Sequence, residues 1–173
     1  MALEIRVLRA GDEHLLDNVA EGVFDGPIDA ALRSDFLRDP RHHLCVGIED
    51  GFVVGFTSAV HYVHPDKPPQ LWINEVGVSA SHQGRGIAKA ILSALMSVGR
   101  EIGCTEAWVL TDEQNVAARA LYRSAGGIES PQVMVSFPLG SRSGAPDGGP
   151  EGKGPSPPPG ASLGGTSAST GRW

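Results

Sequence analysis

Apolar and polar residues alternate in several short runs of this chain, and these runs predict a β-sheet. Residues 3–8 alternate with a period of two, which is typical of a half-buried strand. Residues 43–48 and 52–63 are two apolar runs joined by Glu49-Asp50-Gly51, and an Asp-Gly turn between such runs predicts a β-hairpin. Residues 71–78 then add another antiparallel strand.

Helical spacing of apolar residues occurs in four segments. The first helix is predicted to follow Asp12 as its N-cap, and the second to begin near Pro27 and to end at Asp39-Pro40. The clearest apolar stripe runs over residues 87–102. A fourth helix is predicted over residues 116–125, between a cap residue and two glycines.

Two further strands complete the predicted domain. Residues 105–111 follow a helix, so we expect them to pair in parallel with residues 71–78 through a right-handed crossover. Residues 132–137 form the last predicted strand. The expected fold is one α/β domain over residues 1–138, with a mixed, mostly antiparallel sheet of six to seven strands flanked by about four helices. Residues 139–173 are mostly Gly, Pro and Ser and are predicted to be a disordered tail.

The chain is acidic, and its charge favours some partners over others. The net charge is −6, and residues 1–138 hold 11 basic against 18 acidic side chains, a balance of −7. Nucleic acid is not an expected partner, because phosphate contacts need basic side chains. A cationic small molecule is the expected partner of an acidic domain. No apolar run reaches the ~18 residues of a membrane span, and the first residues are charged, so a cytoplasmic protein is expected. Cys45 and Cys104 lack metal-ligand spacing, and no metal is predicted.

A glycine-containing turn, Gln83-Gly84-Arg85-Gly86-Ile87-Ala88, joins the strand over residues 71–78 to the long helix. The first N–H groups of a helix have no intrahelical partner and attract anions, so the turn indicates a phosphate site. Arg85 and Lys89 would add positive charge. The spacing fits neither a dinucleotide-binding motif nor a P-loop, and a purely structural turn is the alternative.

These residues resemble the cofactor motif of the GCN5-related N-acetyltransferase superfamily: Gln or Arg, two residues, Gly, one residue, then Gly or Ala. The segment Asn115…Ala118…Leu121-Tyr122…Gly126 resembles the second signature of that superfamily. The resemblance implies acetyl-CoA as co-substrate. Its implied contacts are Val76, Gly77 and Val78 along the pantetheine, the residues Gln83, Gly84, Arg85, Gly86, Ile87, Ala88 and Lys89 around the pyrophosphate, and Asn115 and Ala118.

A narrower resemblance covers most of residues 1–138. Residues 71–78, Phe24-Asp25-Gly26 and residues 132–137 are similar to the aminoglycoside 3-N-acetyltransferases of the gentamicin-modifying type. This resemblance implies direct acetyl transfer to an amine, within a cleft where the strands part near Val76. The resemblance to the wider superfamily, whose members often form dimers, also suggests a homodimer with the last strand as a contact.

Two side chains are the predicted catalytic groups. On a regular strand Glu75 shares a face with Leu71, Ile73 and Gly77, which puts a carboxylate among apolar neighbours. An ammonium acceptor with a pKa near 10.4 must lose a proton before it attacks, and the resemblance implies that Glu75 is the general base, directly or through water. It implies that Tyr122 is the general acid for the CoA thiolate. The alternatives are a structural carboxylate and a packed aromatic ring.

Acidic residues crowd the first two predicted helices, the region that borders the acceptor cleft in this superfamily. Carboxylates bind ammonium groups well, although a solvated acidic helix face is the alternative. The predicted acceptor contacts are Phe24, Asp25, Tyr62, Glu75, Asp112 and Glu113, and His61 and His64 are expected at the surface or beside the acceptor rather than on a metal. The expected function is acetylation of an aminoglycoside amine. The alternatives are acetylation of another small or peptide amine, and a non-catalytic acyl-CoA-binding module.

Overall fold

The apolar runs of the sequence form one five-stranded sheet in the computed structural model, which describes residues 3–139. The elements in chain order are strand β1 (Glu4–Leu8), a first 3-10 turn (Glu13–Leu16), helix α1 (Ala30–Arg38), β2 (His42–Glu49), β3 (Phe52–Tyr62), β4 (Gln70–Val78), a second 3-10 turn (Ala80–His82), α2 (Ile87–Glu101), β5 (Glu106–Val109) and α3 (Val116–Ser124). The strands lie in the order β1-β2-β3-β4-β5, antiparallel except for the parallel pair β4 and β5. The predicted α/β fold class, hairpin and parallel crossover are confirmed.

The two faces of the sheet are covered by different elements. On one face the buried stripe of α2, which includes Ile91 and Leu95, packs on Leu71 and Ile73 of β4. The other face is covered by the first 3-10 turn, the loop that follows it and α1, which pack Leu16, Val23 and Leu37 on Val46, Val53 and Phe56. Burial of each large apolar side chain contributes roughly 1.5–3 kcal/mol, so the two layers hold the central strands from both sides.

The first two helices differ from their prediction at their N-termini. Asp12 does not cap a helix, because its Oδ2 accepts a hydrogen bond from the Arg9 N–H at 3.0 Å and only the short 3-10 turn follows. The second helix begins at Ala30 instead of near Pro27, because Asp29 is its cap. The Asp29 Oδ1 accepts hydrogen bonds from the N–H groups of Ala31 and Leu32, both at 2.9 Å.

The predicted last strand is wrong for the described chain. Residues 132–137 pair with no strand there, and the side chains of Val133, Val135 and Phe137 are 87%, 67% and 78% exposed. The apolar residues suit a strand, but a strand also needs hydrogen bonds to the backbone of a neighbour, and residues 132–137 pair with none of the strands of residues 3–139. The described sheet therefore has five strands instead of six to seven, and three α-helices instead of four. The predicted tail lies, apart from Leu139, outside the described residues.

Candidate active site

A β-bulge in β4 opens the sheet at its centre. Ser58 of β3 pairs with Glu75, whereas the next residue of β3, Ala59, pairs with Ile73, so Asn74 is an extra residue in β4. The parallel pairing of β4 with β5 covers Gln70–Ile73 and ends there. Within the described chain, the backbone of residues 75–78 is therefore unpaired on the side of β5. This opening lies where the sequence predicted that the strands part.

The bulge places Glu75 on a different face from the predicted one. Because Asn74 is inserted, the side chains of Glu75 and Ile73 point to opposite faces of the sheet, and Ile73 packs under α2. Of the predicted neighbours of Glu75, only Gly77 lies on the same face as Glu75. The bulge is supported by the fully buried Thr57, whose Oγ1 donates a hydrogen bond to the Glu75 carbonyl oxygen at 3.0 Å. The carboxylate thus faces the loop before α1, and not the core under α2.

The electrostatics around Glu75 are unfavourable for a negative charge. Partial burial, and then the like charge of Asp25, raise the pKa of the Glu75 carboxyl. Neither carboxyl group forms a hydrogen bond or ion pair with another side chain among residues 3–139. A cation bound between them would relieve this repulsion, and a carboxylate with a raised pKa is a better proton acceptor at neutral pH than an ordinary one.

Asp25 is held near Glu75 by the close packing of its loop on β4. A side chain at Gly77 would put its Cβ 2.5 Å from the Val23 carbonyl oxygen and 2.7 Å from Cε1 of Phe56, so only glycine allows this approach. Phe24 stacks on Phe56 with ring centroids 3.9 Å apart. The predicted acceptor residues Phe24 and Asp25 are therefore brought together with Glu75, and Gly77 makes that arrangement possible.

The turn before α2 has the geometry of an anion site. Gly84 and Gly86 have φ angles of +73° and +80°, in the left-handed region that favours glycine. Gly86 is the N-cap of α2 and brings no side-chain cap, so the first N–H groups of this 15-residue helix have no helical partner. Gln83 anchors the turn to the end of β4, since its Nε2 donates a hydrogen bond to the Val78 carbonyl oxygen at 3.2 Å.

Arg85 does not extend freely in front of this turn. Its guanidinium forms a two-pronged ion pair with Glu49 at the end of β2, with Nη1–Oε2 and Nη2–Oε1 distances of 2.9 and 2.7 Å. The same carboxylate lies 3.3 Å from Nε2 of His82, whose Nδ1 is 2.6 Å from the Ser79 Oγ. Glu49, for which the sequence predicted only a place in the hairpin turn, thus ties both sides of the glycine turn to the β2–β3 hairpin. The pairing lowers the pKa of the Glu49 carboxyl and raises the pKa of Arg85.

The second predicted signature forms the start of α3. The Asn115 Oδ1 accepts a hydrogen bond from the Ala118 N–H at 3.1 Å, which confirms that Asn115 caps this helix. Tyr122 packs at the edge of the core under α2, and burial raises the pKa of its phenol. Its hydroxyl has no hydrogen-bond partner among residues 3–139. A protonated phenol with a free hydroxyl is the state that a general acid requires.

The remaining predicted acceptor residues are not all in one place. Asp112 and Glu113 lie in the exposed loop between β5 and α3. The hydroxyl of Tyr62 is already engaged, since it donates to the Gln70 Oε1 at 2.5 Å and accepts from the Trp108 Nε1 at 3.2 Å. A cavity of about 560 Å³ lies beside the loop before α1, where Asp17 pairs with Arg33, but neither Glu75 nor Tyr122 lines it. His61 contacts His43, with a ring nitrogen distance of 2.8 Å.

The described part of the chain has no group of three or more His, Cys, Asp or Glu side chains that is arranged to hold a metal ion. None of the helices within residues 3–139 is long and apolar enough to cross a membrane.

The sequence profile of the acetyltransferase (GNAT) family matches residues 12–126, well over half of the chain. The chain belongs to this family. As a GNAT domain it is 33% identical over 104 residues to the N-alpha-acetyltransferase RimI of Mycobacterium tuberculosis, which covers 60% of this chain and 63% of that protein. It is 27% identical over 93 residues to the aminoglycoside N(6')-acetyltransferase type 1 of Salmonella typhimurium, which covers 51% and 64%. The chain thus spans less than two thirds of the length of either relative.

A solved GNAT structure has the same fold. The aminoglycoside acetyltransferase AAC(6')-Iy, in complex with the bisubstrate analogue CoA-S-monomethyl-acetylneamine, superposes with a TM-score of 0.67 at 22% identity and covers 79% of this chain and 98% of that one. At this identity the likeness concerns the fold. The expected N-acetyltransferase family is confirmed, while the narrower 3-N type is not, because these aminoglycoside-modifying proteins are of the 6'-type.

Proposed function

We propose that this GNAT domain is an acetyl-CoA-dependent N-acetyltransferase that transfers acetyl directly to an amine of an aminoglycoside. The observation that carries the proposal is the bulge at Asn74. It sets the Glu75 carboxylate on the face of β4 that the loop of Phe24 and Asp25 covers, at the start of the open backbone of residues 75–78. An acceptor held by Glu75 and a thioester held along that backbone would therefore meet at the same point of the sheet.

The residues present suit acetyl-CoA, which supplies an acetyl thioester. The glycine turn Gln83–Ala88 and the uncapped N-terminus of α2 would bind its pyrophosphate, with Lys89 nearby. The backbone of Val76, Gly77 and Val78 would pair with the pantetheine and polarise the thioester carbonyl. Asn115 and Ala118 at the start of α3 would border the thiol end. A CoA-containing complex of a GNAT protein with the same fold supports this choice.

The catalytic steps follow from two side chains. Glu75 would take the proton from the acceptor ammonium, which its raised pKa favours, and the free amine would attack the thioester carbonyl carbon. As the carbon–sulfur bond breaks, the Tyr122 hydroxyl would donate its proton to the leaving thiolate. The new amide nitrogen would release its second proton, and that proton would restore the Tyr122 hydroxyl through solvent. The proton on Glu75 then returns to solvent with product release. No covalent acyl-enzyme is required.

The acceptor assignment rests on charge. Asp25 and Glu75 are close enough for their charges to repel, and such a pair favours a substrate with more than one ammonium group. The similarity to an aminoglycoside N(6')-acetyltransferase supports this choice, and the similarity to RimI supports a peptide N-terminus as the second candidate. The position of the acetylated amine, 3-N or 6', stays a prediction.

An acceptor panel tests the proposal. Initial rates of CoA release are measured with sisomicin, spermidine and a short peptide with a free N-terminus, and product NMR locates the acetylated amine. We expect the highest kcat/KM for sisomicin. A peptide that is turned over faster would assign the domain to protein amines, and the binding of acetyl-CoA without turnover of any amine would indicate a binding module.

A further inference from the structure

The bulge brings a tryptophan onto the same face of the sheet as Glu75. Trp72 pairs with Val60 of β3, and Glu75 pairs with Ser58. Val60 and Ser58 are two residues apart on one strand, so they and their partners point to the same side, about 7 Å apart. In a regular β4 the side chains of residues 72 and 75 would face opposite sides, since they are three positions apart.

Trp72 belongs to an aromatic pair at the surface. Its ring stacks on Trp108 of β5, with centroids 5.3 Å apart and planes at 10°. Part of Trp72 remains accessible, as the residue is 38% exposed, while Trp108 is less exposed. An indole at the surface of the sheet beside a carboxylate has no role in the packing of the core.

The position of Trp108 is fixed by a chain of hydrogen bonds across three strands. Its Nε1 donates to the Tyr62 hydroxyl, which donates to the Gln70 Oε1, and the Gln70 Nε2 donates to the Glu106 Oε2 at 2.8 Å. Tyr62 was predicted to contact the acceptor, but its hydroxyl is used in this chain. The network orients the ring of Trp108, and the stacking of the two rings thereby orients the plane of Trp72.

We propose that Trp72 is a specificity-determining residue that holds a saturated, amine-bearing ring of the acceptor while another amine reaches Glu75. The proposal rests on the proposed function and narrows it to amino-sugar or aminocyclitol rings. The ring face of tryptophan packs against the C–H groups of such a ring, and Glu75 and Asp25 supply the charges that pair with its ammonium groups. A flexible linear amine would gain little from the indole, because it presents no flat face.

Steady-state kinetics with two acceptors test this role. We expect Trp72→Ala to raise the KM for sisomicin roughly tenfold and that for spermidine less than twofold, with the KM for acetyl-CoA unchanged. Trp72→Phe keeps an aromatic face and should stay within about threefold of the parent protein. Phe52→Ala is the matched control, because Phe52 is a 49% exposed aromatic residue at the start of β3. If Trp72→Ala does not fold, Trp72→Leu replaces it.

An equal rise in KM for both amines would overturn the proposal, as would a fall in kcat with both KM values unchanged. A change in oligomeric state by light scattering, with the KM for sisomicin unaltered, would assign the indole to a protein interface and would also overturn it.

A binding experiment separates this proposal from the proposed function. The chain has three tryptophans, and Trp173→Phe leaves Trp72 and Trp108 as the fluorophores. We expect sisomicin to change the emission of this variant saturably, and spermidine not to. The change should be lost on adding Trp72→Leu. This result would support the role of Trp72 even if no amine is acetylated, whereas unchanged emission with a turned-over sisomicin would overturn it and leave the proposed function intact.

Discussion

The two halves of the candidate site are built in different ways. The cofactor half, from Gln83 to the start of α2, is made by consecutive residues whose backbone angles are fixed by Gly84 and Gly86. The acceptor half joins Glu75 of β4 to Asp25 of a distant loop, and it depends on a bulge and on the close approach at Gly77. Under the proposed function, a local structure would bind acetyl-CoA and a long-range structure would bind the acceptor amine.

If the two halves are separable, a change in one should leave the other intact. The sharpest test is Glu75→Gln, which removes the base and keeps the shape. We expect kcat to fall by about 10²–10⁴-fold, measured as CoA release at saturating acceptor. The Kd of acetyl-CoA by calorimetry should stay within about twofold, and a large loss of cofactor affinity would contradict the division into halves.

The reverse test is made at Gly86. A Cβ there would meet no atom within 4 Å, so Gly86→Ala introduces only backbone strain, since φ is +80°. Gly86→Asp adds a negative charge in front of the helix N-terminus, and we expect it to weaken CoA binding by about 100-fold, several times more than Gly86→Ala. Equal effects of the two variants would show that no anion binds at this turn.

The pH dependence should report the Asp25–Glu75 pair. Glu75 must be ionised to act as a base, and its raised pKa puts the acid limb of kcat/KM above the usual range of a glutamate, near 4.3. Asp25→Asn removes the like charge, so this limb should move to lower pH. A bound acceptor cation favours the ionised form of Glu75, so the acid limb of kcat should lie at lower pH than the acid limb of kcat/KM. An unchanged limb in Asp25→Asn would mean that burial alone sets this pKa.

The same shift has a consequence for stability. The folded-state pKa of Glu75 is raised, so its protonated form is favoured in the folded protein, and ionisation costs stability as the pH rises through that pKa. Glu75→Gln should therefore raise Tm relative to the parent protein more at pH 8 than at pH 4. A Tm difference that does not vary with pH would contradict this explanation.

The smallest expected effect concerns Glu49. Glu49→Gln breaks the ion pair with Arg85, and we expect the KM for acetyl-CoA to change by about two- to fivefold with the acceptor KM unchanged. The matched control is Glu129→Gln, which breaks a similar pair with Arg119 away from the turn. Equal effects of the two variants on the KM for acetyl-CoA would show that Glu49 has no specific role in holding the glycine turn.

The cofactor half could be predicted because its determinants are local. Glycines at two fixed positions, a preceding strand and a following amphipathic helix are all visible in the sequence, and the cap of α3 by Asn115 is equally local. The bulge was not visible, because Asn74 has no feature that marks it as an extra residue, and the face of Glu75 was therefore assigned wrongly. The pair between Glu49 and Arg85 joins residues 36 positions apart and depends on the tertiary fold.

The strand assignments illustrate the same limit. Alternation in residues 132–137 is as clear as in β1, but only β1 has a neighbour whose backbone it pairs with, over Glu4–Leu8 and Leu44–Ile48. Sequence periodicity describes what a segment is suited to, and the partner decides whether a strand forms.

The single extra residue at Asn74 also makes the site sensitive to chain length, in addition to side-chain identity. Deletion of that one residue would restore the regular two-residue repeat and rotate every position on one side of it by half a turn. Trp72 and Glu75 would then point away from each other, although both side chains would still be present. Comparisons with other GNAT sequences at β4 therefore need to be counted backward from the glycine turn, because a gap of one position there exchanges the two faces of the strand.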